Sequence, residues 1–192
     1  QIVETMHKKN ISTEKSLIVC GSGNNGGDGF AVARLLTEQG KHADVLFAWK
    51  EASLSEECRC QKQIVENMGI SVFTEFPDEE YTVIIDAVFG VGLCREITGH
   101  YKDVIDWMNL QDAEKVAVDI PSGICAATGK ILGTAFRADL TVCMACAKLG
   151  CELFPGKSYA GESIPVAIGI DPKYFSNRLD AVSYTHLRAH ET

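Results

Sequence analysis

Several short stretches of this chain carry residues able to do chemistry. The first is Gly21-Ser22-Gly23-Asn24-Asn25-Gly26-Gly27-Asp28-Gly29, which follows an apolar run. Gly21, Gly23 and Gly26 satisfy G-x-G-x-x-G, a pattern that brings backbone N–H groups and a helix N-terminus close to phosphate. Asn24, Asn25 and Asp28 add side-chain oxygens to that turn. The second stretch is Asp86-Ala87-Val88-Phe89-Gly90-Val91-Gly92-Leu93. Here an acid sits inside an apolar strand, costly unless paired or metal-bound, and two glycines expose backbone. Arg95 lies just beyond and suits a phosphate or a surface pair with Glu96. The third is Asp119-Ile120-Pro121-Ser122-Gly123, again an acid at a strand's end, followed by a rigid turn with a hydroxyl. Asn25, Asp86, Asp119 and Ser122 are hard oxygen donors with no imidazole or thiolate between them. Such a set suits an alkali or alkaline-earth cation rather than zinc, and its few carboxylates favour a weakly charged ion.

These residues do chemistry together only if the strands before them lie side by side. The hydrophobic pattern predicts that they do. Compact β-rich runs occur at Ser16–Cys20, Asp44–Trp49, Ser71–Phe73, Val83–Val88, Lys115–Ile120, Leu140–Met144 and Ile164–Ile168. Helical periodicity lies between them, over Asp28–Gln39, Ser53–Met68 and Tyr101–Leu110. In the first helix Phe30, Val32, Leu35 and Leu36 share one broad face, and Arg34 and Glu38 form an i,i+4 pair. Strands alternating with helices imply βαβ units and a parallel sheet covered on both faces. In such doubly wound sheets ligands bind beyond the carboxyl ends of the strands, where all three stretches fall. A hydride-transferring nicotinamide site also wants an acid closing the second strand. Asp44 opens that strand, and it ends instead at Trp49-Lys50. The Walker pattern is absent as well.

Composition narrows the classes further. The chain has 192 residues, enough for one domain with a sizeable core. Lys and Arg number 18 against 26 Asp and Glu, a net charge of −8 that argues against a nucleic-acid partner. No uncharged apolar stretch is long enough to span a bilayer. Eight cysteines are dispersed through a long chain, several inside apolar runs, which reads as a reducing cytoplasm rather than a disulfide scaffold. Cys143-x-x-Cys146 lacks the second pair a zinc site needs. The chain starts at Gln1, so it reads as a fragment of something longer, with a single domain over 1–180. Residues 181–192, ending in SYTHLRAHET, resemble a translated linker rather than a folded element. His186 and His190 stand at i,i+4 there, but a disordered tail is the expected state.

GSGNNGGDGF, DAVFGVGL, REITG, AVDIPSG and the later AKLG and FPG resemble, in order, the YjeF N-terminal domain family. The resemblance runs from about Ser16 to Asp171. It implies an α/β fold, a Rossmann-like three-layer α/β/α sandwich with a mostly parallel sheet, preceded in the family by a helix largely missing here before Gln1. The enzymatic members are NAD(P)H-hydrate epimerases, acting on NADHX or NADPHX in nicotinamide cofactor repair. Carried over by motif, Asn24, Asn25, Gly26, Gly27 and Asp28 would contact substrate. So would Gly90, Val91, Gly92, Leu93, Cys94, Arg95 and Glu96, and Asp119 would also bind it. Asn25, Asp86 and Ser122 would hold a potassium ion. Asp119, at a strand end, is the candidate acid/base, and Lys148 reads equally well as a phosphate contact or a surface lysine. The sequence departs from the family at Ser22, often Pro, at Val91, often Thr, and over Ile124–Gly129, where two acids are lost. A homodimer, and fusion to or cooperation with an NAD(P)H-hydrate dehydratase, fit the resemblance. The competing reading is a non-catalytic nucleotide-binding regulatory or scaffold module.

Overall fold

The computed structural model describes residues 1–48, 54–171 and the backbone of 181–182. Seven strands form one sheet: β1 (Lys15–Cys20), β2 (His42–Phe47), β3 (Val72–Phe73), β4 (Val83–Ala87), β5 (Glu114–Val118), β6 (Leu140–Met144) and β8 (Glu162–Val166). Their order is β3-β2-β1-β4-β5-β6-β8, and every pairing is parallel. A short β7 (Ala147–Lys148) pairs antiparallel with β9 (Ala181–Val182). The helices are α1 (Ile2–Lys8), α2 (Asn24–Glu38), α3 (Glu56–Asn67), α4 (His100–Leu110), α5 (Leu149–Glu152) and α6 (Lys157–Ala160).

Side-chain alternation along each strand divides the core into two layers. Ile18 and Cys20 of β1 pack with Val83, Ile85 and Ala87 of β4 and with Met6, Phe30, Leu36, Cys58 and Val65 of α1, α2 and α3. Leu17 and Val19 face the other way, with Ile84 of β4 and Val104, Ile105 and Met108 of α4. Both faces are therefore covered, which explains the continuous apolar runs. β1 lies between β2 and β4, so the winding reverses beside it, and the gap beyond the β1 and β4 ends is the topological switch point.

Three features differ from the sequence expectation. First, α1 precedes β1 and buries Ile2, Val3 and Met6; its seven residues are too few to display a convincing period. Second, α2 begins at Asn24, four residues before the expected Asp28, so the glycine-rich stretch is mostly helix. Close packing overrides the poor helix propensity of glycine. A Cβ on Gly26 would lie 1.9 Å from the Gly21 carbonyl oxygen. One on Gly29 would lie 2.5 Å from Ala87 Cβ and 2.7 Å from Cys20 Sγ. Third, Leu35, expected on the same face as Phe30, Val32 and Leu36, is exposed, while those three are buried as the period requires. Arg34 and Glu38 do pair, at 2.9 Å. The expected strand end at Trp49-Lys50 and the tail histidines lie outside the described residues.

Candidate active site at the carboxyl ends of three strands

A cavity of about 560 Å³ opens where β1, β4 and β5 end. From the turn after β1 and the first turn of α2 it takes Ser22, Gly23, Asn24, Asn25 and Asp28. From the loop after β4 it takes Val88 to Arg95, and from the end of β5 it takes Asp119. The first intrahelical bond of α2 is Gly27 N–H to Gly23 O, so the preceding N–H groups are left at the positive end of a helix beside the cavity.

The predicted residues divide by position. Asn24, Asn25, Asp28, Gly90, Val91, Gly92, Leu93, Cys94, Arg95 and Asp119 line the cavity; Gly26, Gly27, Asp86, Glu96 and Ser122 do not. Gly26 and Gly27 are buried at the contacts of α2 with the Gly21 turn and with Cys58 of α3. Ser22, Val88 and Phe89 line the cavity without having been singled out; only their place in the same loops signals them. Phe89 packs on Tyr101 of α4, ring centroids 4.6 Å apart.

Asp86 and Ser122 are not part of the lining but are bonded to each other behind the loop after β4. Asp86 is fully buried. Its Oδ1 accepts from Val88 N–H (3.1 Å) and from Ser122 Oγ (2.7 Å), and its Oδ2 accepts from Ser122 N–H (2.7 Å). Burial pushes its carboxyl up to about 6, against the pull of those three hydrogen bonds. Ser122 Oγ accepts from Phe89 N–H at 2.8 Å and stands 3.4 Å from Phe89 O. The hydroxyl proton goes to the nearer Asp86, so two oxygens face each other without a hydrogen to share. Asn25 packs against Gly90 in the loop after β4, and the space around its buried Nδ2 holds no hydrogen-bond partner among the described residues. Amide O and N exchange by rotation, so Asn25 has the means to turn its oxygen to this space. These donors fit a weakly charged, oxygen-seeking cation.

Asp119 has an unusual backbone. Its φ is +70°, and Ile120 N–H donates to Val118 O at 2.8 Å, so the residue sits at the centre of a γ-turn. Left-handed backbone at a non-glycine residue stores strain, and such strain clusters at functional sites. Its Oδ1 accepts from Met144 N–H at 3.0 Å and pairs with Lys148 Nζ at 2.8 Å. Lys148 is therefore buried and engaged, neither a surface lysine nor a free phosphate contact. Partial burial, and then the charge of Asp119, raise the carboxyl of Asp28 above the ordinary range. Asp28 as a residue stays open to solvent, which screens part of this repulsion. Two carboxylates thus interact in one cavity. Of the CxxC pair, Cys143 is buried in β6 and its thiol partner is Cys151 rather than Cys146; all eight cysteines are free thiols.

Fold and cavity together define a doubly wound, parallel α/β domain with a ligand cleft at its switch point. More particularly, the chain belongs to the family described as YjeF-related protein N-terminus, which it matches over residues 1–150. It is 40% identical over 166 residues to a protein of Oenococcus oeni named NAD(P)H-hydrate epimerase, covering 86% of this chain and 79% of that one. A protein of the same name from Limosilactobacillus reuteri is 40% identical over 162 residues, covering 84% and 76%. A third, from Weissella koreensis, is 36% identical, covering 88% and 76%. The crystal structure of the yeast protein YNL200c shares the fold, with a TM-score of 0.74 at 18% identity over 95% of this chain and 82% of that one.

Proposed function

We propose that this chain is an NAD(P)H-hydrate epimerase, interconverting the R and S forms of hydrated NADH or NADPH in cofactor repair. Relatives of that name at about 40% identity support the reading. The single structural observation that carries it is Asp119, strained and ion-paired, on the wall of the switch-point cavity.

The substrate carries a hydroxyl on the carbon next to the ring nitrogen, which makes it a hemiaminal. As the nitrogen lone pair forms a C=N bond, the C–O bond breaks and the hydroxyl leaves with a proton as water. Water then adds back to either face of the planar cation and returns its proton. One positioned carboxyl group suffices for both transfers, and Asp119 is assigned that role. Asp28, held above its ordinary range beside Asp119, is the second group able to carry the proton. The N-terminus of α2 and Arg95 suit the substrate's phosphates.

Asn25, Asp86 and Ser122 are assigned to a potassium ion, which when bound supplies fixed positive charge beneath the loops that line the cavity. The free thiols suit a reducing compartment, the cytoplasm. No helix among the described residues is long and apolar enough to cross a membrane.

The test is epimer exchange. Purified protein is given R-NADHX and the two epimers are separated over time. Appearance of S-NADHX above the spontaneous rate supports the proposal. Binding without exchange would favour the nucleotide-module reading.

A further inference from the structure

Lys148 is a buried charged group outside the cavity lining. It is 7% exposed, at the end of β7. An ammonium has three N–H donors and no acceptor; here two carbonyls and one carboxylate surround it. Nζ donates to Met144 O at 2.6 Å and to Cys146 O at 3.1 Å, and it forms an ion pair with Asp119 Oδ1 at 2.8 Å.

The two carbonyls belong to a second strained turn. Ala145 has φ +66°, and Cys146 N–H donates to Met144 O at 2.8 Å, so Ala145 centres a γ-turn at the end of β6. Asp119 centres the matching turn at the end of the adjacent β5. Met144 N–H, from the flank of the second turn, donates to the Asp119 carboxylate. One buried ammonium therefore ties two left-handed turns together, with the carboxylate of Asp119 between them. Both contacts fall on Oδ1, and no hydrogen bond to Oδ2 exists among the described residues.

Desolvating an ammonium is costly, and a buried ion pair gives little net stability over an apolar pair of similar shape. An arrangement of this kind is explained better by placement than by stability. We infer that Lys148 is a positioning residue for epimerisation, which clamps the paired turns after β5 and β6 and leaves the Oδ2 of Asp119 free for the substrate. The inference rests on the assignment of Asp119 as the acid/base group. It separates Lys148 from substrate binding, because the ammonium is buried and already paired with a carboxylate.

The test compares wild type with Lys148→Met, Lys148→Arg, Asp119→Asn and the Lys148→Met/Asp119→Asn double variant. The expected loss in kcat for Lys148→Met is about 10²-fold, the scale of a misplaced reacting group. KM for NADHX and NADPHX should stay within about threefold. Lys148→Arg, which keeps the charge but brings a planar fork, should lose part of kcat. In the Asp119→Asn background, Lys148→Met should cost nothing further, since a residue acting through Asp119 has no effect once Asp119 is disabled. A raised KM at unchanged kcat, or additive losses in the double variant, overturns the inference. A structural role alone would lower the melting temperature without this dependence on Asp119. Hydrogen exchange at the Ile120, Met144 and Cys146 amides tests the clamp without activity, and unchanged protection in Lys148→Met overturns it. Should wild type exchange no epimers, the epimerase proposal fails, and the hydrogen-exchange comparison still decides whether the clamp exists.

Discussion

Ser122 gives both its backbone N–H and its hydroxyl to Asp86, at 2.7 Å each, behind the loop after β4. That double contact ties the loop after β5 to the interior of β4. It also fixes the direction of the serine hydroxyl, leaving a lone pair to accept from Phe89 N–H.

The first prediction concerns the ion assigned to Asn25, Asp86 and Ser122. Potassium should raise the melting temperature relative to choline at matched ionic strength, and more than sodium does. At ten times the dissociation constant the gain is about 1.4 kcal/mol, or roughly 3–6 °C for a chain of this size. Asp86→Asn should abolish the difference. Melting curves in the three salts check it, and identical curves for wild type would remove the ion from the reading.

Ser122→Ala removes one of the three hydrogen bonds to a buried carboxylate. The expected cost is about 1.5–3 kcal/mol, measured by urea unfolding. Ser122→Thr keeps the hydroxyl and should cost less than Ser122→Ala.

Asp119→Asn should cut epimer exchange by about 10²–10⁴-fold while substrate affinity stays within about tenfold, since a near-isosteric amide keeps shape but cannot cycle a proton. Single-turnover exchange and a binding titration on the same variant separate the effects. Saturated exchange near the wild-type rate would return Asp119 to a binding role.

The Asp28 carboxyl should respond to the charge of Asp119. With Asp119 ionised, the Asp28 carboxyl holds its proton to higher pH than a free aspartate, because burial and then repulsion disfavour its charge. Removing the Asp119 charge relieves the repulsion, so the Asp28 midpoint should fall in Asp119→Asn. Carboxyl carbon NMR titration of both proteins reads the sign directly, and an unmoved or rising midpoint contradicts the coupling.

The glycines of one motif should respond very differently to alanine. Gly26→Ala places a methyl 1.9 Å from a backbone oxygen and should cost about 3 kcal/mol or more. Gly23, the N-cap of α2, has open space where its Cβ would go and a negative φ. Gly23→Ala should change stability by about 0.5 kcal/mol or less. Paired unfolding curves check the contrast.

The sequence by itself determined the layered architecture. Strands buried on both faces must read as continuous apolar runs, and the interleaved 3.6-residue period leaves no arrangement but a covered parallel sheet. It also brought Asn25, Asp86, Asp119 and Ser122 within reach of one another, because each follows or ends a strand and parallel strands point their ends the same way. Local pattern could not set the limits of α2, since glycine looks like a turn until close neighbours explain it. Nor could it divide the G-x-G-x-x-G motif into Gly26, needed for contact, and Gly23, facing open space. The role of Lys148 was equally hidden. Its partners Met144 and Cys146 lie close in sequence, but Asp119 lies 29 positions away, just past the end of β5. Only the side-by-side ends of β5 and β6, each closed by a left-handed γ-turn, bring the ammonium and the carboxylate to 2.8 Å. Long-range packing made that pair, and a one-dimensional pattern records spacing along the chain rather than distance through the core.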